Sequence, residues 1–306
     1  MHTAQFALHA ALEDRHWWFV ARRRIVRRLI DHLFSPADKI RHTADVGAVK
    51  SCLRRAEKSV ERPLIIDIGC GTGANIASLA DRYLCVGIDT SVDAIQWARQ
   101  KFPEVKFIQG RAPKDLDGLI ADARLITMMD VLEHVEDDFH LLSSVLAECK
   151  PGTYLLLTVP ADMSLWSKHD ETFGHYRRYD KARFAQLWEG LPVKPLLVSH
   201  YNSRLYPLVK SVRRFNRLFR RSAGAHGTDF RQPSTPVNWM FEYIFSGECD
   251  MLFDTLNHED EGYQRGVSLI ALVERTSGTV EPRHKPPGAG RDYYDPARHQ
   301  YAAQNA

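Results

Sequence analysis

The chain has 306 residues, of which 44% are hydrophobic and 26% charged, with a net charge of +3. It reads as a globular protein with enough apolar residues for a sizeable core, in one large domain or two small ones. Its near-balanced charge gives no argument for nucleic acid as a partner. The five cysteines are odd in number and widely spaced, and no CxxC pair occurs. That pattern argues against a disulfide framework or a zinc ribbon, so reduced thiols in a cytoplasmic protein are expected. No metal site is read from the sequence. No secretory leader is read in residues 1–30, where His, Glu, Asp and Arg interrupt the apolar residues, and no run is long enough to span a bilayer.

Residues 4–34 predict a helix. Apolar residues recur from Phe6, Leu8 and Leu12 through Trp17, Trp18, Ile25, Val26, Leu29 and Leu33, while Arg22, Arg23, Arg24, Arg27 and Arg28 crowd the other face. Residues 35–62 are polar and read as a connector, with a helix near 49–59. From residue 63 the signals alternate: strands at 64–68, 84–88, 105–109, 125–129 and 154–159, helices at 75–83, 92–102 and 138–149. Such alternation predicts βαβ units and a doubly wound, mainly parallel sheet. Regularity stops after Pro160. Residues 161–179 read as a loop rich in His, Arg, Trp and Tyr, and Asp180 is placed to cap a helix ending near Glu189. A strand at 196–200, helices at 203–221 and 238–256, and a strand at 266–274 follow. Residues 276–306, with four prolines and three glycines, are expected to be a disordered tail.

The chemistry-bearing stretch is "LIIDIGCGTGANIASLA", residues 64–80. A glycine-rich turn between strand and helix lets the backbone approach a ligand closely, at the sheet edge where doubly wound folds bind ligands. A dinucleotide site would space its glycines as GxGxxG. Here Gly69, Gly71 and Gly73 run GxGxG, and Asp67 stands two residues ahead of them. A carboxylate there suits a cationic group better than a pyrophosphate, which it would repel. Asp89 ends the second strand, 18 residues after Gly71, where an acid accepts hydrogen bonds from ribose hydroxyls. Both cofactor classes use such an acid, so Asp67 and the glycine spacing are what discriminate.

"DIGCGTG" followed by "GIDTS" resembles the class I S-adenosylmethionine-dependent methyltransferases, firmly over residues 63–160 and with residues 266–274 as the expected ending. The resemblance implies a Rossmann-like sheet of seven strands, mainly parallel, whose last hairpin strand runs antiparallel. It also implies Asp67, Gly69, Gly71 and Gly73 around the methionyl part of S-adenosylmethionine, and Asp89 on the ribose. Where the family often has G-D-A at the adenine, this chain has Gly110-Arg111-Ala112, and arginine cannot accept the adenine amino group's hydrogen bond. The segment "MMDVLEHVEDD" resembles the family's stretch below the cofactor. Asp130 is read as a residue at the pocket edge; Glu133 and His134 are read as helix-start and packing residues. The implied organisation is a helical lid and connector at 1–62, a methyltransferase domain at 63–275 with acceptor-side insertions at 161–179 and 203–256, and the tail.

Methyl transfer from a sulfonium is an in-line displacement that needs alignment and desolvation more than acid–base machinery. The absence of an Asn-Pro-Pro-Tyr-like motif after the fourth strand, and of Pro-Cys anywhere, lowers the weight of DNA amine and cytosine methylation. The distinctive segments "EDRHWWFVARRRIV" (13–26) and "VPADMSLWSKHDETFGHYRRYDKARF" (159–184) resemble a bacterial branch of small-molecule methyltransferases. In them Asp170 and His175 are candidates to hold or deprotonate a hydroxyl, Arg177 and Arg178 to bind a carboxylate or phosphate, and Tyr179, Trp17 and Trp18 to wall the pocket. For the arginines and Asp170 the competing reading is a salt-bridge network that closes the loop; for both tryptophans, lid packing. Residues 203–221 hold seven Lys or Arg and no acid, with Leu208, Val212, Phe215 and Phe219 on one face. They read first as a helix capping the acceptor pocket, then as a contact with anionic membrane, and last as RNA-binding. The resulting expectation is a cytoplasmic S-adenosylmethionine-dependent methyltransferase acting on oxygen of a small, anionic or lipid-linked acceptor. A nicotinamide-dependent oxidoreductase and a non-catalytic cofactor-binding protein are the alternatives.

Overall fold

A computed structural model describes residues 3–35, 62–218, 231–286 and 289. Seven strands form one sheet: β1 (Leu64–Ile68), β2 (Leu84–Asp89), β3 (Lys106–Gln109), β4 (Leu125–Met129), β5 (Tyr154–Pro160), β6 (Val193–Tyr201) and β7 (Ser268–Arg275). Their order is β3-β2-β1-β4-β5-β7-β6. Neighbours among β1 to β5 pair in parallel, whereas β7 runs antiparallel to both β5 and β6. The doubly wound, mainly parallel arrangement read from the sequence is thus present, with the antiparallel ending. The order reverses between β1 and β4, and the crevice outside the carboxyl ends of strands at such a point is where open α/β sheets take ligands.

The central strands are apolar throughout because both faces are covered. Side chains alternate between two cores: Ile66, Ile126 and Leu157 pack with Phe139, Leu142 and Phe184 on one face, and Ile65, Leu125 and Leu156 with Ile25, Leu29 and Phe245 on the other. Helices α1 (Thr3–Leu12) and α2 (Trp17–Leu33) precede the sheet; α3 (Ala74–Ala77), α4 (Val92–Lys101) and α5 (Asp138–Glu148) connect its strands. After β5 come α6 (Lys168–Phe173), α7 (Lys181–Gln186), α8 (Tyr206–Leu218), α9 (Thr235–Ser246) and α10 (Cys249–Leu256).

Several features depart from the sequence reading. Residues 168–173, read as part of a loop, form α6, and the helix read over 75–83 ends at Ala77. The helix expected over 4–34 is broken at residues 13–16, where the His16 side chain accepts from Trp18 N and starts a new helix. Its second half is more than a lid, because Ile25, Leu29 and Ile30 are buried in one of the two cores. The helix expected over 238–256 divides at Gly247 into α9 and α10. The expected tail is docked over 276–286: Arg283 donates to the carbonyls of Gln186, Leu187 and Glu189, and its own N–H reaches Ser143 Oγ at 2.8 Å. The helix expected near 49–59 lies outside the described residues. No helix among them is long and apolar enough to cross a membrane.

Candidate active site

The turn from β1 to α3 is built on backbone that only glycine adopts without strain. Gly69, Gly71 and Gly73 have φ of 72°, 54° and 86°. A Cβ on Gly69 would lie 2.5 Å from Val131 Cγ2, and one on Gly73 2.7 Å from the Phe107 ring. A Cβ on Gly71 would meet nothing within 4 Å, so that position faces open space. The Asp89 carboxylate closes the turn from β2, accepting from Gly71 N at 2.9 Å and from Ser91 N at 2.8 Å.

Asp67 lies one layer below. It is 1% exposed and accepts from Thr127 Oγ1 at 2.6 Å. Burial pushes its carboxyl up to about 7 against that hydrogen bond and the charge of Arg22. A raised carboxyl makes a contribution to stability that is complete below its unfolded pKa of about 4 and is lost as pH rises through the folded value. The thermal midpoint of the unliganded chain is therefore expected to fall between about pH 4 and about pH 7. Burial also pushes Glu248 to about 7, so part of the slope is its own. Asp67→Asn should flatten the difference; an identical slope in both proteins, by calorimetry, would assign all of it elsewhere.

The turn opens into a cavity of about 1160 Å³. Its lining includes Gly69, Gly71, Asp89 and Asp130 on the donor side, Trp17 and Trp18 from α2, and His175 and Arg178 from the loop after β5. Asp67, Gly73, Asp170, Arg177 and Tyr179 lie behind this surface. The Asp170 carboxylate, fully buried, accepts from Ser167 N at 2.9 Å and Arg178 Nε at 2.7 Å and faces His175 Nδ1 at 3.1 Å. Burial alone would raise it, but Arg178, His175 and Arg213 outweigh burial and hold it well below the usual carboxylate range. It fixes the His175 ring and closes the loop at once.

Arg177 and Tyr179 are not placed to touch an acceptor. Arg177 donates to the carbonyls of Val135 and Glu136 at 2.7 Å each and pairs with Asp138 at 3.3 Å; Tyr179 Oη donates to Asp138 at 2.8 Å. Both are buried, with Arg183 also bonded to Asp138. Of the two arginines expected at the acceptor, only Arg178 lines the cavity.

Trp17 sits at the start of α2, its N–H donating to Asn238 Oδ1 at 2.9 Å and its ring edge-on to Phe241. The Arg22 guanidinium lies 4.3 Å from the Trp18 ring and bonds the Asp130 carboxylate at the cavity edge. Sequence reasoning treated Arg22 as one of a basic face, although its burial was implicit in its place one turn after Trp18. It also missed Glu13, which bonds Thr72 in the glycine turn and accepts from Lys101 at 2.8 Å. Asp115 was missed too: its carboxylate accepts from Arg111 N at 2.7 Å. Glu133 was read as a helix-start residue, yet it is fully buried on the cavity lining with neither carboxylate oxygen hydrogen-bonded.

Residues 37–204, more than half of the chain, match the family described as "Methyltransferase domain". Trans-aconitate 2-methyltransferase of Deinococcus radiodurans is 28% identical over 174 residues, 49% of this chain and 65% of that protein. Ubiquinone biosynthesis O-methyltransferase of Coxiella burnetii is 26% identical over 129 residues, 41% of this chain and 55% of that protein. The first curated relatives are thus spanned over between about a third and two thirds of their own length. A solved SAM-dependent methyltransferase from Archaeoglobus fulgidus superimposes with a TM-score of 0.43 at 17% identity, over 74% of this chain and 93% of that one. The strand order, the glycine turn and the family match converge: the chain belongs to the methyltransferase domain family, whose methyl donor is S-adenosylmethionine.

Proposed function

We propose that the chain moves a methyl group from S-adenosylmethionine to an oxygen of a small acceptor that is anionic or lipid-linked. One observation carries this reading. The glycine turn, with its open face at Gly71 and the Asp89 carboxylate beside it, shares a single cavity with His175. The residues fit the donor: Gly69, Gly71 and Gly73 leave room for close approach, Asp67 lies behind the turn to favour a cation, and Asp89 has acceptor capacity left for ribose hydroxyls. When bound, the donor supplies a methyl group on a positively charged sulfur. Asp130, with Arg22 on it, borders the donor side. Arg111 lines the cavity, and its side chain offers no acceptor to an adenine amino group.

On the acceptor side His175, aimed by Asp170, takes the proton of an acceptor hydroxyl, and Trp17 and Trp18 exclude water. Arg178 and Arg213 on the cavity lining favour an anion. Two relatives bear on the acceptor: one is named for trans-aconitate, a carboxylate, the other for O-methylation in ubiquinone biosynthesis. Lipid access is supported by α8. Leu208 and Val212 line the cavity yet are 46% and 42% exposed, and Phe215 beside them is 54% exposed. Trp239 and Tyr243 of α9 are exposed and stacked on each other. Lys210 and Arg214 stand exposed on α8, so an apolar rim with basic neighbours faces outward, as contact with an anionic bilayer requires. Leu208, Val209 and Val212 also line the cavity as the expected cap would, so the two readings stand together; Phe219 lies outside the described residues.

The test is incubation of the full chain with labelled donor and separate lipid and water-soluble fractions, followed by mass spectrometry of whatever gains a methyl group. His175→Ala should lower turnover by about 10²- to 10⁴-fold while leaving donor affinity unchanged. Loss of both together would make the loop structural.

A further inference from the structure

The donor cradle leaves Glu133 and His134, beside His175, without a role. Glu133, in the turn after β4, His134 beside it and His175 from the loop after β5 each offer a ligand atom, and these atoms lie within 4.8 Å of one another. All three residues line the cavity. Glu133 is fully buried, and neither of its carboxylate oxygens has a hydrogen-bond partner. Leaving a carboxylate so is costly, and buried carboxylates are normally paired, protonated or coordinated to a metal.

We infer that Glu133, His134 and His175 form a site for a divalent transition-metal ion on the acceptor side of the cavity. His175 carries the outer support that metal ligands show. His175 Nδ1 faces Asp170, which Arg178 locks from the other side. A ligating histidine usually gives its second nitrogen to a carboxylate or carbonyl, which fixes its tautomer and aims the first. The His134 ring is set edge-on to the His175 ring at 4.6 Å, so the two converge from different directions.

Two imidazoles and one carboxylate, with remaining positions open to a cavity, suit Zn²⁺, Fe²⁺ or Mn²⁺. Bonds of about 2.1 Å place ligand atoms about 3.4 Å apart, so the site closes by side-chain shifts of about 1 Å. The site rests on the reading that the acceptor lies beside His175, and it changes how His175 acts. The ion draws in the acceptor hydroxyl and eases loss of its proton to water. The oxygen then forms its bond to the methyl carbon as the carbon–sulfur bond breaks, and the sulfur leaves with that electron pair.

The full chain, freed of metal by a chelator, is titrated with Zn²⁺ by calorimetry and with Co²⁺ by visible absorption. One tight equivalent is expected. Glu133→Gln and His175→Ala should each weaken it by more than about a hundredfold, and Asp170→Asn, which spares the ligands, by about 10- to 100-fold. His284→Ala removes one ring of the stacked surface pair His140 and His284 and should leave the equivalent in place. S-adenosylhomocysteine binding to each variant verifies the fold; if Glu133→Gln fails that control, His134→Gln takes its place. Zn²⁺ binding unchanged in the ligand variants, or lost in His284→Ala, overturns the site. Methyl transfer that survives the chelator but not His175→Ala overturns the ion's role and leaves His175 as the proton acceptor.

Discussion

Asp89→Ala is expected to weaken S-adenosylmethionine binding by about a hundredfold or more. The carboxylate ends β2 and already accepts from Gly71 N and Ser91 N, so it shapes the turn that it borders. Its remaining lone pairs are the ones available to ribose hydroxyls. Hydrogen bonds to a charged group contribute about 1.5–3 kcal/mol each, so losing two costs about 3 kcal/mol or more, which is about two orders of magnitude in affinity. Alanine also releases the Gly71 and Ser91 amides, adding a conformational cost to the cradle. Asp89→Asn keeps one acceptor oxygen and most of the shape, and should fall between alanine and the native chain. Calorimetry with S-adenosylhomocysteine checks this, with a nicotinamide dinucleotide in a parallel titration. Native affinity in Asp89→Ala would refute the ribose role. Tight dinucleotide binding with none for the homocysteine compound would favour the oxidoreductase alternative over the donor assignment.

The glycine cradle was legible because its chemistry is local. A carboxylate, three glycines at GxGxG and a second acid at the next strand end are all within 23 residues, Asp67 to Asp89. The central strands were legible for a similar reason: burial on both faces leaves continuous apolar runs, and β1 and β4 fall on the residues expected. Breaks in helices were not legible, because tertiary partners impose them. Glu13 leaves the helical line to meet Thr72 and Lys101, and Glu248, beyond Gly247, accepts from Ser203 N and Arg204 N at 2.8 and 2.7 Å. The arginines after Gly174 show the same limit. Adjacent in sequence, Arg177 and Arg178 point to different partners, one to Asp138 and one to Asp170. Glu133 meets His175 only because β4 and β5 are neighbours in the sheet, so the turn after one strand faces the loop after the other.

That division within one loop makes the second large effect a matter of stability. Asp138 is fully buried at the start of α5. It receives Arg183 at 2.6 and 2.9 Å, Arg177 at 3.3 Å and the Tyr179 hydroxyl at 2.8 Å. Arg177 and Arg183 keep only 5% and 13% of their side chains exposed. Removing the one carboxylate they share strands two guanidinium charges in the interior, and breaking a buried pair in this way costs about 3–5 kcal/mol. At about 2–4 °C per kcal/mol for a domain of this size, Asp138→Ala should lower the thermal midpoint by about 10 °C. Asp138→Asn keeps the volume and one acceptor oxygen but loses the charge, and should fall between. His175→Ala, two residues before Arg177 in the loop after β5, removes no shared counter-charge and should move the midpoint much less while lowering turnover. Differential scanning calorimetry of the three variants separates these outcomes. A midpoint for Asp138→Ala within about a degree of native would mean that Arg177 and Arg183 regain solvent or other partners at little cost, and that the loop is held chiefly by Asp170 instead.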